Sequence, residues 1–342
     1  MEKEKESGKL GLGIDLGTAN LLVFLEQKGI IFNEPSVIAF DRESGKVIAA
    51  GKDAYKMIGK VHSKISIIKP LRDGGISDLN AAKELLTYVL KKVEDLTEKS
   101  LGKSTTVICC PSEVTKIEQN VMIDLAREMN MSDVFIEEEI KAGALGAGLN
   151  IFQSKGIMIV DIGGGTTDVG VISYGDIVLS RSIRMAGTYM TNEITKYVKK
   201  TRNVEIGELT AERCKMELVN LNTDAETVVE KFAGRDMVKG IPKWVEISSD
   251  EVRKVLEPVF EEIVKLIAAV LKDTSPELSA DIFRSGIYVT GGGALTTGIE
   301  TFIKKRIPVP VTVISNPLTC VAEGLKYLLK NRGDYRINSI QM

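Results

Sequence analysis

Ile159-Val160-Asp161-Ile162-Gly163-Gly164-Gly165-Thr166-Thr167-Asp168-Val169-Gly170-Val171-Ile172 is the stretch around which the chain is organised. β-Branched apolar runs flank three consecutive glycines bracketed by aspartates, the pattern of a strand, a tight turn and a returning strand. Residues after the glycines keep alternating like a strand, so the turn is a hairpin and not the strand-to-helix loop of a P-loop or Rossmann turn. Glycine amides in such a turn can approach a polyphosphate, and the hydroxyls of Thr166 and Thr167 can add donors. Taken alone, the pattern also suits a glycine hairpin with no ligand.

A second copy changes that balance. Leu12-Gly13-Ile14-Asp15-Leu16-Gly17-Thr18-Ala19-Asn20-Leu21-Leu22-Val23-Phe24 repeats the plan of strand, turn and strand, and Asp15 lies 146 positions before Asp161. Duplicated hairpins suggest two similar halves closing on one nucleotide from opposite sides. The 342 residues suffice for two domains at about 150 residues each.

Composition excludes more than it selects. Lys plus Arg number 45 against 47 Asp plus Glu, a net charge of −2, so nothing global favours nucleic acid as a partner. Cys109, Cys110, Cys214 and Cys320 are scattered without a C-x-x-C, the pattern of reduced, buried thiols in a cytoplasmic protein. His62 is the only histidine, too few for a His-based metal site or triad, and reads as a surface loop residue. No apolar run approaches the roughly 18 to 20 residues of a membrane span. Residues 1–9 lack the apolar core of a signal peptide and read as a solvated tail.

Along the chain, residues 10–149 are expected to form a first domain with a small subdomain at about 36–75. Residues 150–330 form a second, with a small subdomain at about 186–250, and 331–342 are a polar tail. Helices are predicted at Leu79 to Lys92, through Val121 to Ala126 with Ser112 as cap, at Ile140 to Leu149, at Thr191 to Thr201, at Thr210 to Glu217, and from Ser249-Asp250 as caps through Leu271 with Pro258 as a kink or break. Further helices fall at Gly298 to Lys305 and Leu318 to Lys330, the last packing back on the first domain. Ile177 to Ser182 and Val309 to Ile314 read as strands, and Gly286 to Leu295 as a strand ending in a third glycine turn.

Six stretches carry a resemblance over nearly the whole chain: IDLGTAN at Ile14 to Asn20, NEPSV at Asn33 to Val37, VDIGGGTTDV at Val160 to Val169, TAER at Thr210 to Arg213, TGGGAL at Thr290 to Leu295 and NPLTCVAEG at Asn316 to Gly324. Together they resemble the MreB branch of the actin superfamily. The resemblance implies an α/β, duplicated actin-like (ribonuclease H-like) fold around an ATP cleft. It implies ATP or ADP with Mg2+ as cofactors, slow ATP hydrolysis, and self-assembly into filaments, in paired protofilaments, that govern bacterial cell shape.

Residue by residue, it implies that Thr18, Ala19 and Asn20 contact the phosphates from one side and Gly164, Gly165 and Thr166 from the other. Asp15 and Asp161 would hold Mg2+, largely through water. Glu212, Arg213, Cys214 and Lys215 would address the ribose and base side, with Gly292, Gly293, Ala294 and Leu295 beneath the adenosine. Glu139 and Thr166 would align the attacking water. The family usually has Glu-Glu-Pro here, and this chain has Glu138-Glu139-Ile140, so no proline ring fixes the backbone that aims Glu139.

An anionic membrane surface is a further expected partner, at the inner face of the cell membrane, as are other cell-shape proteins. Its carriers would be Lys99, Lys103, Lys330, Arg332 and Arg336, with Leu101 the one apolar residue of its loop; each charge near such a surface is worth ~1 kcal/mol. A small-molecule kinase or a chaperone ATPase would share the phosphate hairpins. No sugar-kinase signature accompanies them, and no peptide-binding domain is expected in this length.

Overall fold

The computed structural model of the chain describes residues 10–98, 100–112 and 114–330. The expected tails, Lys99 and Glu113 lie outside the described residues.

Two five-stranded sheets share one plan. The first runs in the order Asp133–Glu138, Thr105–Cys110, Gly11–Leu16, Asn20–Leu25, Gly29–Pro35. Its central strand pairs parallel with Thr105–Cys110 and antiparallel with Asn20–Leu25. The second sheet runs Val311–Val313, Ile287–Thr290, Ile157–Ile162, Thr167–Ser173, Asp176–Ile183, again with a parallel partner on one side of the central strand and an antiparallel one on the other. The duplicated α/β architecture implied by the resemblance is therefore present. Both organising stretches are hairpins, since Val160 faces Val169 and Ile14 faces Val23 across their turns.

Each large sheet has a three-stranded companion. One contains Val47–Ala50, Ile38–Asp41 and Ile65–Ile68; the other Val204–Glu205, Val229–Asp236 and Pro242–Ser248. The cores follow from the apolar stripes. Leu85, Leu86, Val89 and Val93 of the helix Leu79–Thr97 bury against the first sheet, and Leu256, Phe260, Ile263 and Ile267 of Ser249–Asp273 against the second.

A third core joins the two halves, built on Glu139–Gly146 and Cys320–Lys330. These helices touch through glycine: a methyl added at Gly146 would lie 1.8 Å from the Cys320 carbonyl oxygen, and one at Gly324 1.8 Å from that of Ala142. The last helix also covers the first sheet, with Leu325 over Gly13.

Several boundaries differ from the sequence reading. Thr115, not Ser112, caps the helix Lys116–Glu128, in a reciprocal capping box with Glu118. Ser248, not Ser249-Asp250, caps the long helix, again reciprocally with Glu251, and Pro258 sits inside that helix without ending it. Leu79–Thr97 outruns its prediction by a turn, and Gly187–Arg202 begins before Thr191. Leu101 is buried in the first core and offers no apolar tip. Among the described residues no helix is long and apolar enough to cross a membrane.

Candidate functional site

The two hairpin turns meet. A methyl group added at Gly164 would lie 2.6 Å from Ala19 Cβ and 3.0 Å from its backbone nitrogen; one at Gly165 would lie 2.5 Å from Thr18 Oγ1. Only hydrogen at these Cα atoms allows the approach. The second turn is shaped from behind by the start of the helix Gly187–Arg202. Gly187 N–H donates to the Gly163 carbonyl at 3.1 Å and Thr188 N–H to that of Gly164 at 2.8 Å. A trans peptide sets its N–H opposite its C=O, so the amides of Gly164 and Gly165 point away from that helix. Thr166 is buried beside Gly74, whose N–H donates to Thr18 Oγ1 at 3.3 Å, so one loop lies over both turns. Thr167 is unavailable as a donor to a ligand, because its hydroxyl donates to the Met185 carbonyl at 2.8 Å.

Four carboxylates gather beneath the turns. Asp15 and Asp161 occupy the same position near the end of the two central strands, and Asp168 faces Asp161 across the second hairpin. Glu139 opens the helix Glu139–Gly146, while Glu137 and Glu138 still belong to the preceding strand. Burial pushes Asp161 up to about 8, with Asp168 and Asp15 adding to it, and burial pushes Asp15 up to about 7. Glu139 is held well above the usual carboxylate range by burial and then by Asp15, Asp161 and Asp168. Asp168 accepts the Ser112 N–H at 3.1 Å, the actual use of the loop read as a cap.

Such a floor fits a divalent cation, since buried like charges are relieved by positive charge between them. Among the described residues no three His, Cys, Asp or Glu side chains are placed to hold a metal unaided. That donor set suits an ion that keeps most of its waters, as Mg2+ does.

On the helix Glu208–Leu218, Glu212 and Lys215 pair at 2.8 Å. Lys215 Nζ also donates to the Gly187 carbonyl at 3.0 Å and to Thr191 Oγ1 at 3.1 Å, and Thr191 bonds Glu212. This network ties the helix to the residue that shapes the second turn. Arg213 and Cys214 are not brought to it: Cys214 is fully buried in the second core, and Arg213 lies over the Phe232 ring, 5.0 Å from its centroid. The i, i+3 spacing that aims Glu212 and Lys215 one way necessarily turns their neighbours elsewhere.

The third glycine turn packs on the end of the strand Ile157–Ile162. Gly291 has φ +81°, and a methyl there would lie 2.3 Å from Asp161 Oδ1; one at Gly293 would lie 2.2 Å from Ile162 Cγ2. Gly292–Leu295 form a short 3-10 turn with Ala294 buried and Leu295 exposed. The ion pair of Lys69 with Glu208 joins the segment after the strand Ile65–Ile68 to the start of the helix Glu208–Leu218.

Sequence reasoning missed Gly74, Gly187, Thr188 and Thr191. The Asp73-Gly74-Gly75 turn signal marked a turn only, and nothing local in Ala186-Gly187-Thr188 points 24 residues back to Gly163 and Gly164.

The family model described as MreB/Mbl protein matches residues 9–336. The chain is 44% identical over 321 residues to the cell shape-determining protein Mbl of Bacillus subtilis (strain 168), covering 94% of this chain and 96% of that one. It is 36% identical over 318 residues to the cell shape-determining protein MreB of Escherichia coli (strain K12), covering 92% and 91%. Among solved structures, MreB5 of Spiroplasma citri bound to AMPPNP superposes with a TM-score of 0.90 at 41% identity, covering 95% of this chain and 97% of that one. The MamK double helical filament has a TM-score of 0.80 at 23% identity, covering 94% and 99%, a likeness of fold alone.

Proposed function

The chain belongs to the MreB/Mbl family and has the actin-like fold, and from that premise we propose that it binds ATP between its two glycine hairpins, hydrolyses it slowly and polymerises into cytoskeletal filaments that govern cell shape. The observation that carries this reading is the meeting of the Gly164-Gly165 and Thr18-Ala19 turns above a floor of four carboxylates. Nucleotide in the same fold, AMPPNP in one Spiroplasma citri MreB5 structure and ADP in another, supports it.

In this reading the two five-stranded halves are lobes around the cleft. Amides of Gly164 and Gly165 and the hydroxyls of Thr18 and Thr166 bind phosphate oxygens, with Ala19 and Asn20 lining the first turn. Glu212 and Lys215 address the ribose, and Gly292 to Leu295 lie beneath the adenosine. Asp15 and Asp161 would hold Mg2+, largely through water, and the ion would neutralise charge on the phosphates. Glu139 accepts the proton of an attacking water that Thr166 helps to orient. Arg213 and Cys214 take no part.

Head-to-tail contacts that do not close would give the filament. The outer face of the helix Lys116–Glu128, where Ile117 is exposed and Val121 half-buried, is proposed to pair protofilaments. Ile123, on the same helix, is buried. Membrane contact is proposed through exposed lysines such as Lys103 alone, since Leu101 is buried; co-sedimentation should then favour anionic over neutral liposomes. We propose a cytoplasmic location beside that membrane.

The test is ATP-dependent pelleting with phosphate release followed in parallel. Pelleting with ATP and release that depends on Glu139 support the reading. Consumption of ATP only when a sugar is added would overturn it in favour of a kinase.

A further inference from the structure

Glu139 sits between two anchors. Glu137 accepts the Glu138 N–H on Oε1 at 3.1 Å, and its Oε2 lies 3.1 Å from Lys141 Nζ. The two side chains are 6% and 3% exposed. One buried carboxylate thus ties the Glu137–Glu138 peptide to the side chain two residues after Glu139. Ile140 is fully buried and seats its Cδ1 against the strand Thr167–Ser173, 2.2 Å from where a methyl on Gly170 would lie. Glu137, Ile140 and Lys141 are therefore fixed in the interior, and Glu139 joins the aspartates of the cleft.

Burial this complete is rare for lysine and glutamate, and a buried ion pair is a poor source of stability because desolvation offsets the attraction. What such a pair supplies is geometry, since its two ends fit only at one distance and orientation. It spans the strand-to-helix turn where backbone freedom would swing Glu139, and position 140 carries no ring to fix φ.

We infer that Glu137 and Lys141 are positioning residues that hold the turn so that the Glu139 carboxylate faces the cleft. The inference rests on the reading of Glu139 as the proton acceptor in hydrolysis. Neither residue touches the reacting atoms; both act through the backbone of Glu139.

The test compares three full-length proteins: the parent, the double variant E137Q/K141M and E139A. The double variant keeps an acceptor for the Glu138 N–H, leaves no unpaired buried charge and cuts the link to position 141. The readouts are thermal melting, affinity for a fluorescent ATP analogue, and single-turnover phosphate release at saturating ATP. Expected for E137Q/K141M are a melting temperature near the parent's, affinity within about twofold, and phosphate release slower by about tenfold or more, the scale of a small misplacement of a catalytic group. A merely structural role would lower melting and affinity together with rate. If E139A is inactive while E137Q/K141M releases phosphate within twofold of the parent, the positioning role is overturned and the reading of Glu139 stands. If E139A is as fast as the parent, the reading of Glu139 fails and the positioning role fails with it.

Discussion

Replacing Asp161 by Asn in the nucleotide-free protein is expected to raise stability at pH 8 and to flatten its pH dependence. Asp161 is 5% exposed, and burial, Asp168 and Asp15 push its carboxyl from 3.8 up to about 8. Between about pH 4 and pH 8 the folded chain therefore keeps a proton that the unfolded chain has released. The folded state binds more protons, so stability falls as pH rises through that window and is greatest below it, within the range where other groups do not unfold the protein. One pKa unit corresponds to about 1.4 kcal/mol, so an isolated group shifted this far would cost about 5 kcal/mol at pH 8. Burial pushes Asp15 up to about 7 and its charge adds to the rise at Asp161, so one substitution recovers only part of the cost, about 2–4 kcal/mol. Urea denaturation at pH 5, 6, 7 and 8, with EDTA and without nucleotide, measures this directly. A parent whose stability rises from pH 5 to pH 8, or an Asp161→Asn curve parallel to the parent's, would refute the reasoning.

Other substitutions probe separate parts of the structure. Gly164→Ala places a methyl 2.6 Å from Ala19 Cβ and 3.0 Å from its backbone nitrogen, so the turns must part; titration with a fluorescent ATP analogue should show affinity lowered by about tenfold or more, with little change in melting without nucleotide. Gly324→Ala drives a methyl into the Ala142 carbonyl oxygen at 1.8 Å, and urea denaturation should show a loss of about 1–3 kcal/mol or more from overpacking between the halves. Thr115→Ala removes one side of a capping box and should cost about 1 kcal/mol by the same measurement, while leaving phosphate release per folded molecule unchanged.

The hairpins were legible because period-two alternation and consecutive glycines are local signals, and their repetition implied two halves. That Asp15 and Asp161 take the same place near the ends of the two central strands followed from that duplication. Cap residues were misassigned by one to three positions: Ser112, Thr115, Ser248 and Ser249 are all chemically able to cap, and only the chain's path decides which hydroxyl meets an amide. Leu101 read as a loop residue because its burial comes from the first core, not from its own periodicity. The bonds from Gly187 and Thr188 to the glycine turn, from Gly74 to Thr18 and from Ser112 to Asp168 join residues 20 to 60 positions apart, where no pattern in one sequence connects them. The triple glutamate was read as an acidic run with one functional member. The structure divides it, with Glu137 buried against Lys141, Glu138 ending the strand just before the helix and Glu139 among the aspartates.

Electron microscopy of the purified protein with ATP, ADP and a non-hydrolysable ATP analogue, with phosphate release followed on the same samples, tests the central claim most directly. The expected result is filaments with ATP and with the analogue, phosphate release from ATP by the parent, and filaments without phosphate release for Glu139→Ala. Absence of filaments in every nucleotide state, or equal phosphate release by the parent and Glu139→Ala, would contradict it.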